Sequence, residues 1–192
     1  MTTKNIQAPA NENPDLVNVT ITYLKQDARP DIAQPARPPF KTAILRAVQP
    51  PVHYYRYLYR LVGDPYKWVS RNILSDDALM DIIHNKNVYV YVFYIEGNPA
   101  GLCEVDDRNQ DFAEIKFFGL APEAIGRGIG RYFLWNAIEM AWALNPSEVR
   151  LETCTLDHPA ALPLYQKFGF SVHNRRKGVV DISSLKQRHE QV

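Results

Sequence analysis

The chain has 192 residues, 46% of them hydrophobic and 22% charged, the mix of one globular domain with a sizeable core. Twenty-two Lys and Arg against 21 Asp and Glu leave a net charge of +1, which argues against a nucleic-acid partner and against an acidic tail. No apolar run approaches the roughly 20 residues of a membrane span, and the polar start has no secretory h-region. A cytoplasmic protein without a membrane partner is expected, with Cys103 and Cys154 as buried, reduced thiols that lack metal-ligand spacing.

Residues 1–16 mix Asn, Pro, Thr and Glu without periodicity and read as a disordered lead-in. Residues 17–23 (VNVTITY) alternate as a half-buried strand does. The prolines of residues 28–40 forbid a regular ladder, so an extended surface loop is expected there. A short strand at residues 43–48 follows. Residues 53–62 (HYYRYLYRLV) have helical spacing: Tyr54, Tyr57, Leu58 and Leu61 on one face, Tyr55, Tyr59 and Val62 on an adjoining stripe. A second helix is expected over residues 76–84 with Ser75 as its N-cap. Residues 88–95, 100–105 and 112–120 read as an antiparallel meander.

The pattern then changes. Residues 126–144 are periodic as a helix, 149–154 as a strand, 159–168 as a short helix ended by Gly169, and 170–174 as a strand, with another at 179–182. No repeat and no linker divides the chain. The domain is expected over residues 17–183, with 184–192 as a polar tail.

Residues 120–131 (LAPEAIGRGIGR) place a glycine-rich turn between a strand and an amphipathic helix. A helix N-terminus offers unpaired N–H groups and a positive dipole end, and glycines let that backbone approach a phosphate. The spacing reads as an anion cradle with charge from Arg127 and Arg131. The dinucleotide fingerprint fails in both registers, because Arg131 or Phe133 stands where its third glycine belongs, and the lysine of a Walker A loop is missing.

The segment resembles the GNAT superfamily of acyl-CoA-dependent N-acyltransferases, whose loop reads [QR]-x-x-G-x-[GA] after a strand. Ile125 stands at the first position here, with Gly126, Arg127, Gly128, Ile129 and Gly130 following. A second motif of that family, A-x-x-L-Y-x-x-x-G-F, fits residues 161–170 (ALPLYQKFGF). His158 stands where many relatives carry Asn. The resemblance implies a single α/β (α+β) domain: a mixed, mostly antiparallel central sheet with helices on both faces.

It also implies acetyl-CoA as co-substrate, with no metal. The pantetheine arm would pair with the backbone of Phe118, Gly119 and Leu120 between two splayed strands, and the pyrophosphate would sit on the amides of Gly126, Arg127, Gly128, Ile129, Gly130 and Arg131, with His158 nearby. The acceptor would be a small-molecule or peptide primary amine, bound beside Tyr59 and Trp68 in a pocket whose aromatics suit a partly apolar amine. Glu114 is the base candidate and Tyr165 the acid candidate for direct attack on the thioester. A homodimer is compatible with this. The alternative is a non-catalytic acyl-CoA-binding sensor or scaffold, which would keep the glycine loop without needing base or acid.

Overall fold

The computed structural model describes residues 13–186. Seven strands form one sheet in the order β2-β3-β4-β5-β6-β1-β7. They are β1 (Leu16–Gln26), β2 (Thr42–Ala47), β3 (Val88–Ile95), β4 (Asn98–Asp106), β5 (Ala113–Leu120), β6 (Val149–Cys154) and β7 (Ser171–Asp181). All neighbours are antiparallel except β5 and β6, so the sheet is mixed. The helices are α1 (Val52–Gly63), α2 (Asp76–Ile83), α3 (Gly130–Trp142), α4 (Ala161–Lys167) and the single turn α5 (Ser183–Lys186).

Two apolar layers hold helices to opposite faces. On one, Phe133, Leu134, Ala137 and Ile138 of α3 and Tyr165 of α4 pack on Phe93, Cys103, Val105 and Leu151. On the other, Tyr55, Leu58, Tyr59 and Val62 of α1 and Leu79 and Ile83 of α2 pack on Val90, Val92 and Leu102. Helices on both faces of a mixed sheet is the architecture expected from the sequence. The meander β3-β4-β5 is present, and the Ser75 side chain caps α2 by accepting from the Ala78 N–H.

Several local expectations change. The buried stripe of α1 is Tyr55, Leu58, Tyr59 and Val62, while Tyr57 is half exposed. Aromatics surround this helix, so more than one stripe satisfies the 3.6 period; the sheet decides, because Glu104 of β4 accepts from the Tyr55 hydroxyl. Residues 171–181 form one strand rather than two, since the polar stretch 174–178 is held by continuous pairing with β1; tertiary context overrides weak propensity. Helix α3 starts at Gly130, later than expected, because Gly126 and Gly128 take positive φ of 79° and 75° outside it. Cys103 is buried, whereas Cys154 is only half-buried and faces a cavity.

The first strand lies between β6 and β7, paired with both. The chain must then cross to β2 at the opposite edge of the sheet, and the proline-rich segment makes that crossing over α3. Arg29 pairs with Glu139, and Trp135 Nε1 donates to the Ile32 carbonyl. Gln26 ties the end of β1 to both helices of that face, accepting from Trp142 Nε1 and donating to the Phe168 carbonyl. Of the lead-in, residues 1–12 lie outside the described residues, and β1 begins at Leu16. Of the tail, Ser184–Lys186 belong to α5, and residues 187–192 lie outside the described residues.

Candidate active site

Strands β5 and β6 pair only from Ala113 to Ile115 against Val149 to Leu151. Beyond Ile115 they part. The divergence coincides with a bulge: Val105 faces Ile115 and Glu104 faces Phe117, leaving Lys116 without an opposite residue. An extra residue increases local twist and bends the strand, which carries the end of β5 away from β6. Residues 117–120 keep their pairing to β4 while their β6-facing backbone edge is open.

The gap is a cavity of about 780 Å³. Its floor is Phe118, Gly119 and Leu120 on one side and Leu151, Thr153 and Cys154 on the other. The Phe118 ring packs away against Phe133 and Tyr165, at centroid distances of 4.9 and 6.4 Å, so a bulky side chain leaves the strand edge free. Gly119 is required for another reason: a Cβ there would stand 2.6 Å from Val62 Cγ1 of α1.

At one end the cavity meets Gly126, Gly128, Ile129, Gly130 and Arg131. A Cβ on Gly126 or Gly128 would meet nothing within 4 Å, so both glycines face open space. No side chain caps α3, and its first N–H groups and positive dipole end remain available to an anion. These residues fit a pyrophosphate. Arg127 turns elsewhere: its guanidinium lies 4.4 Å from the Phe40 ring centroid, outside the cavity wall. Of the two arginines expected to contribute charge, only Arg131 lines the cavity.

The other end is built by α1 and residues 64–75. Tyr59, Trp68 and Phe117 form a ring cluster with centroids 5.0 to 5.5 Å apart. Trp68 reaches across to the turn after β6, its Nε1 donating to Asp157 at 3.3 Å, and the same carboxylate accepts from Thr153 Oγ1 at 2.7 Å and Cys154 N at 2.9 Å. Tyr66 meets the His158 ring edge-on. His158 Nδ1 accepts from the Ala160 N–H at 3.1 Å, so the imidazole serves the turn into α4.

Arg71 anchors this loop from behind. Its guanidinium donates to Glu104, which is fully buried and also holds Tyr55. The Arg71 backbone N–H meets the Tyr59 hydroxyl, which is 3.2 Å from Ser70 Oγ.

Tyr165 lines the cavity with 7% exposure. Burial, with Asp157 and Cys103 nearby, pushes its phenol well above the ordinary value, so it is protonated at neutral pH. Glu114 lies elsewhere. It sits on the paired part of β5, largely buried, with Lys116 Nζ at 3.0 Å. Burial raises its pKa, and Lys116 opposes the shift only in part. Glu114 is not part of the cavity wall; Lys116 and Glu152 are. Sequence reasoning missed Lys116, Glu152 and Asp157 as wall residues. For Glu152 a signal existed: it alternates with Thr153 on β6 and therefore faces the other side of the sheet, that of α1. Among the described residues no group of three or more His, Cys, Asp and Glu could hold a metal ion, and no helix is long and apolar enough to cross a membrane.

The sequence profile of the acetyltransferase (GNAT) family matches residues 55–170. A Bacillus subtilis protein, provisionally named a ribosomal protein bS18 alanine N-acetyltransferase, is 27% identical over 103 residues, 54% of this chain and 67% of that protein. A solved structure from Novosphingobium aromaticivorans, provisionally assigned as a GNAT acetyltransferase, shares the fold with a TM-score of 0.58 at 16% identity, covering 90% of this chain and 69% of that one. An aminoglycoside acetyltransferase from an uncultured soil metagenomic sample, solved with trehalose, gives 0.53 at 18% identity, covering 66% of this chain and 86% of that one. Matched over more than half its length, from the buried face of α1 to the end of α4, the chain belongs to the acetyltransferase (GNAT) family.

Proposed function

We propose that the protein transfers an acetyl group from acetyl-CoA directly to a primary amine. The observation that carries this is the parting of β5 from β6 over a cavity that ends on the uncapped, glycine-led N-terminus of α3. The open edge of Phe118, Gly119 and Leu120 suits a peptide-like arm, and the amides from Gly126 to Arg131 suit a pyrophosphate. Acetyl-CoA supplies an acyl thioester, whose carbonyl is the electrophile. The chain supplies everything else: a strand edge for orientation, an aromatic wall that excludes water, and two proton-handling groups.

Tyr165 holds the proton for the leaving thiolate. The residue lines the cavity, and its hydroxyl has no hydrogen-bond partner among the described residues. Tyr165→Phe should leave acetyl-CoA binding nearly unchanged and lower kcat by about 10- to 1,000-fold. A variant with wild-type kcat would make the tyrosine a packing residue.

Glu114 takes the proton of the acceptor ammonium. Because it stands behind Lys116, the transfer runs through a water at the cavity mouth. Its raised pKa puts the loss of the base, as pH falls, at a higher pH than an ordinary carboxylate would give. Glu114→Gln should lower kcat/KM on the order of 100-fold and abolish that acidic limb. Wild-type rates through the neutral range would place the base elsewhere.

The test of the function is release of free CoA from acetyl-CoA with a panel of amines, alongside calorimetric titration of acetyl-CoA. Turnover with binding is expected. Tight binding with no turnover on any amine would convert the protein into an acyl-CoA sensor.

A further inference from the structure

Strands β5 and β6 pair through Glu114 opposite Arg150 and Ile115 opposite Leu151. Carried one residue further, that parallel register sets Lys116 opposite Glu152, at the first step of the fork. Pairing has ended there, and an ion pair spans the step instead, with Lys116 Nζ 3.9 Å from Glu152 Oε1. The same ammonium reaches Glu114 Oε1 at 3.0 Å, two residues back on the same face of β5. The bulge turns the next side chain, Phe117, onto this face too, where it packs with the α1 layer. The lysine head therefore lies between two carboxylates, Glu114 behind it in the paired part of the sheet and Glu152 beside it in the cavity wall.

The other charges around Glu114 are already matched. Asp106, opposite on β4, holds Arg108. Arg150, opposite on β6, holds Glu148. Arg71, from the segment after α1, holds Glu104. From β1, Lys25 meets Asp27 and Glu148, and Tyr23 lies opposite Glu152. What remains is two carboxylates and one ammonium. Burial pushes the Glu114 carboxyl up, Lys116 opposes it, and Glu152 and Asp106 push the same way as burial. Burial alone would lower the Lys116 pKa, but Glu114 and Glu152 outweigh it, so the amine stays an ammonium at neutral pH.

We propose that Lys116 is a positioning residue for the transfer: one ammonium shared by Glu114 and Glu152 at the closed end of the fork, holding Glu114 ionised and in place to take the acceptor's proton. This rests on Glu114 being the base. Glu152 competes for the same ammonium, so the two neighbours act on Glu114 in opposite senses. Losing Lys116 leaves two carboxylates together and favours protonation. Losing Glu152 leaves the ammonium to Glu114 alone.

With glutamate carboxyls isotope-labelled, NMR follows the titration of Glu114, whose signal is the one missing from Glu114→Gln. Lys116→Met should move its midpoint up by about one pH unit, the low end for an opposite charge at this range. Lys116→Arg should keep the wild-type midpoint, and Glu152→Gln should move it down by a smaller amount. The acidic limb of kcat/KM should follow, to higher pH in Lys116→Met and to lower pH in Glu152→Gln. It is read by CoA release from acetyl-CoA with the fastest amine of the panel above. A lysine that only packs would lower rates without moving a midpoint. A midpoint unmoved in Lys116→Met, or not lowered in Glu152→Gln, would overturn the proposal alone. Midpoints that move while the limb stays in place would overturn Glu114 as the base, and this proposal with it.

Discussion

Gly128→Asp is expected to weaken acetyl-CoA binding by about two to three orders of magnitude, the largest effect on ligand affinity anywhere in the loop. The residue faces open space in the cavity, so the new side chain clashes with nothing. Its carboxylate would stand where a pyrophosphate sits, and an uncompensated like charge in such a place costs about 3–5 kcal/mol. Backbone strain adds a smaller term, because the position holds a φ of +75°, which costs a non-glycine residue about 1–2 kcal/mol. Gly97→Asp isolates that term. Gly97 has a φ of +85° in the β3–β4 turn and equally open surroundings, but it lies outside the cavity wall. It should lower Tm by a similar amount and leave acetyl-CoA affinity unchanged. Calorimetric titration of both variants decides the matter: equal affinities would remove the anion cradle from the account.

Arg71→Leu should be the most damaging single change to stability, by about 3–5 kcal/mol. It strands the Glu104 carboxylate, which is fully buried and would keep only the Tyr55 hydroxyl. The double variant Arg71→Leu, Glu104→Leu should recover much of that loss, since removing both charges also removes the cost of burying them. Denaturant midpoints of the two variants measure the difference. The pair also anchors residues 67–75, which carry Trp68 and Ser70 beside Tyr59. The double variant should therefore fold yet show a raised KM for the amine with acetyl-CoA affinity retained. A double variant no more stable than the single one would contradict the account of the buried charge.

The parts of this fold that were legible in the sequence are those whose signal is local. The meander came from one dense β-branched and aromatic run followed by two further apolar runs across turn signals, α2 from a serine cap, and the turn before α3 from glycines alternating after a strand. The two family motifs placed the β5 end, the start of α3 and Tyr165 in one site. What the sequence hid depends on partners distant along the chain. Tyr55 and Tyr57 compete for the buried face of α1 on equal terms until Glu104 is known to lie beneath. Arg127 and Arg131 are equivalent as text, and only the position of Phe40 sends one away from the cavity. Glu114 stands out among apolar neighbours in the sequence, but the bulge at Lys116 decides which carboxylate reaches the wall. Glu152 looked like the outward half of an alternating strand, and outward here is toward the cavity.

The placement of β1 between β6 and β7 sets an order of assembly. The wall made by Ile21, Val19 and Val180 joins the first strand of the sheet to the last, so it forms only after nearly the whole chain is available. Contacts of such long sequence separation carry a large loop-closure cost and slow the search. During synthesis β1 emerges first and waits, its apolar residues unpaired, while the meander β3-β4-β5 closes locally behind it. A half-made chain can thus hold a structured meander while the part of the cavity wall that joins β1 to β7 is still missing.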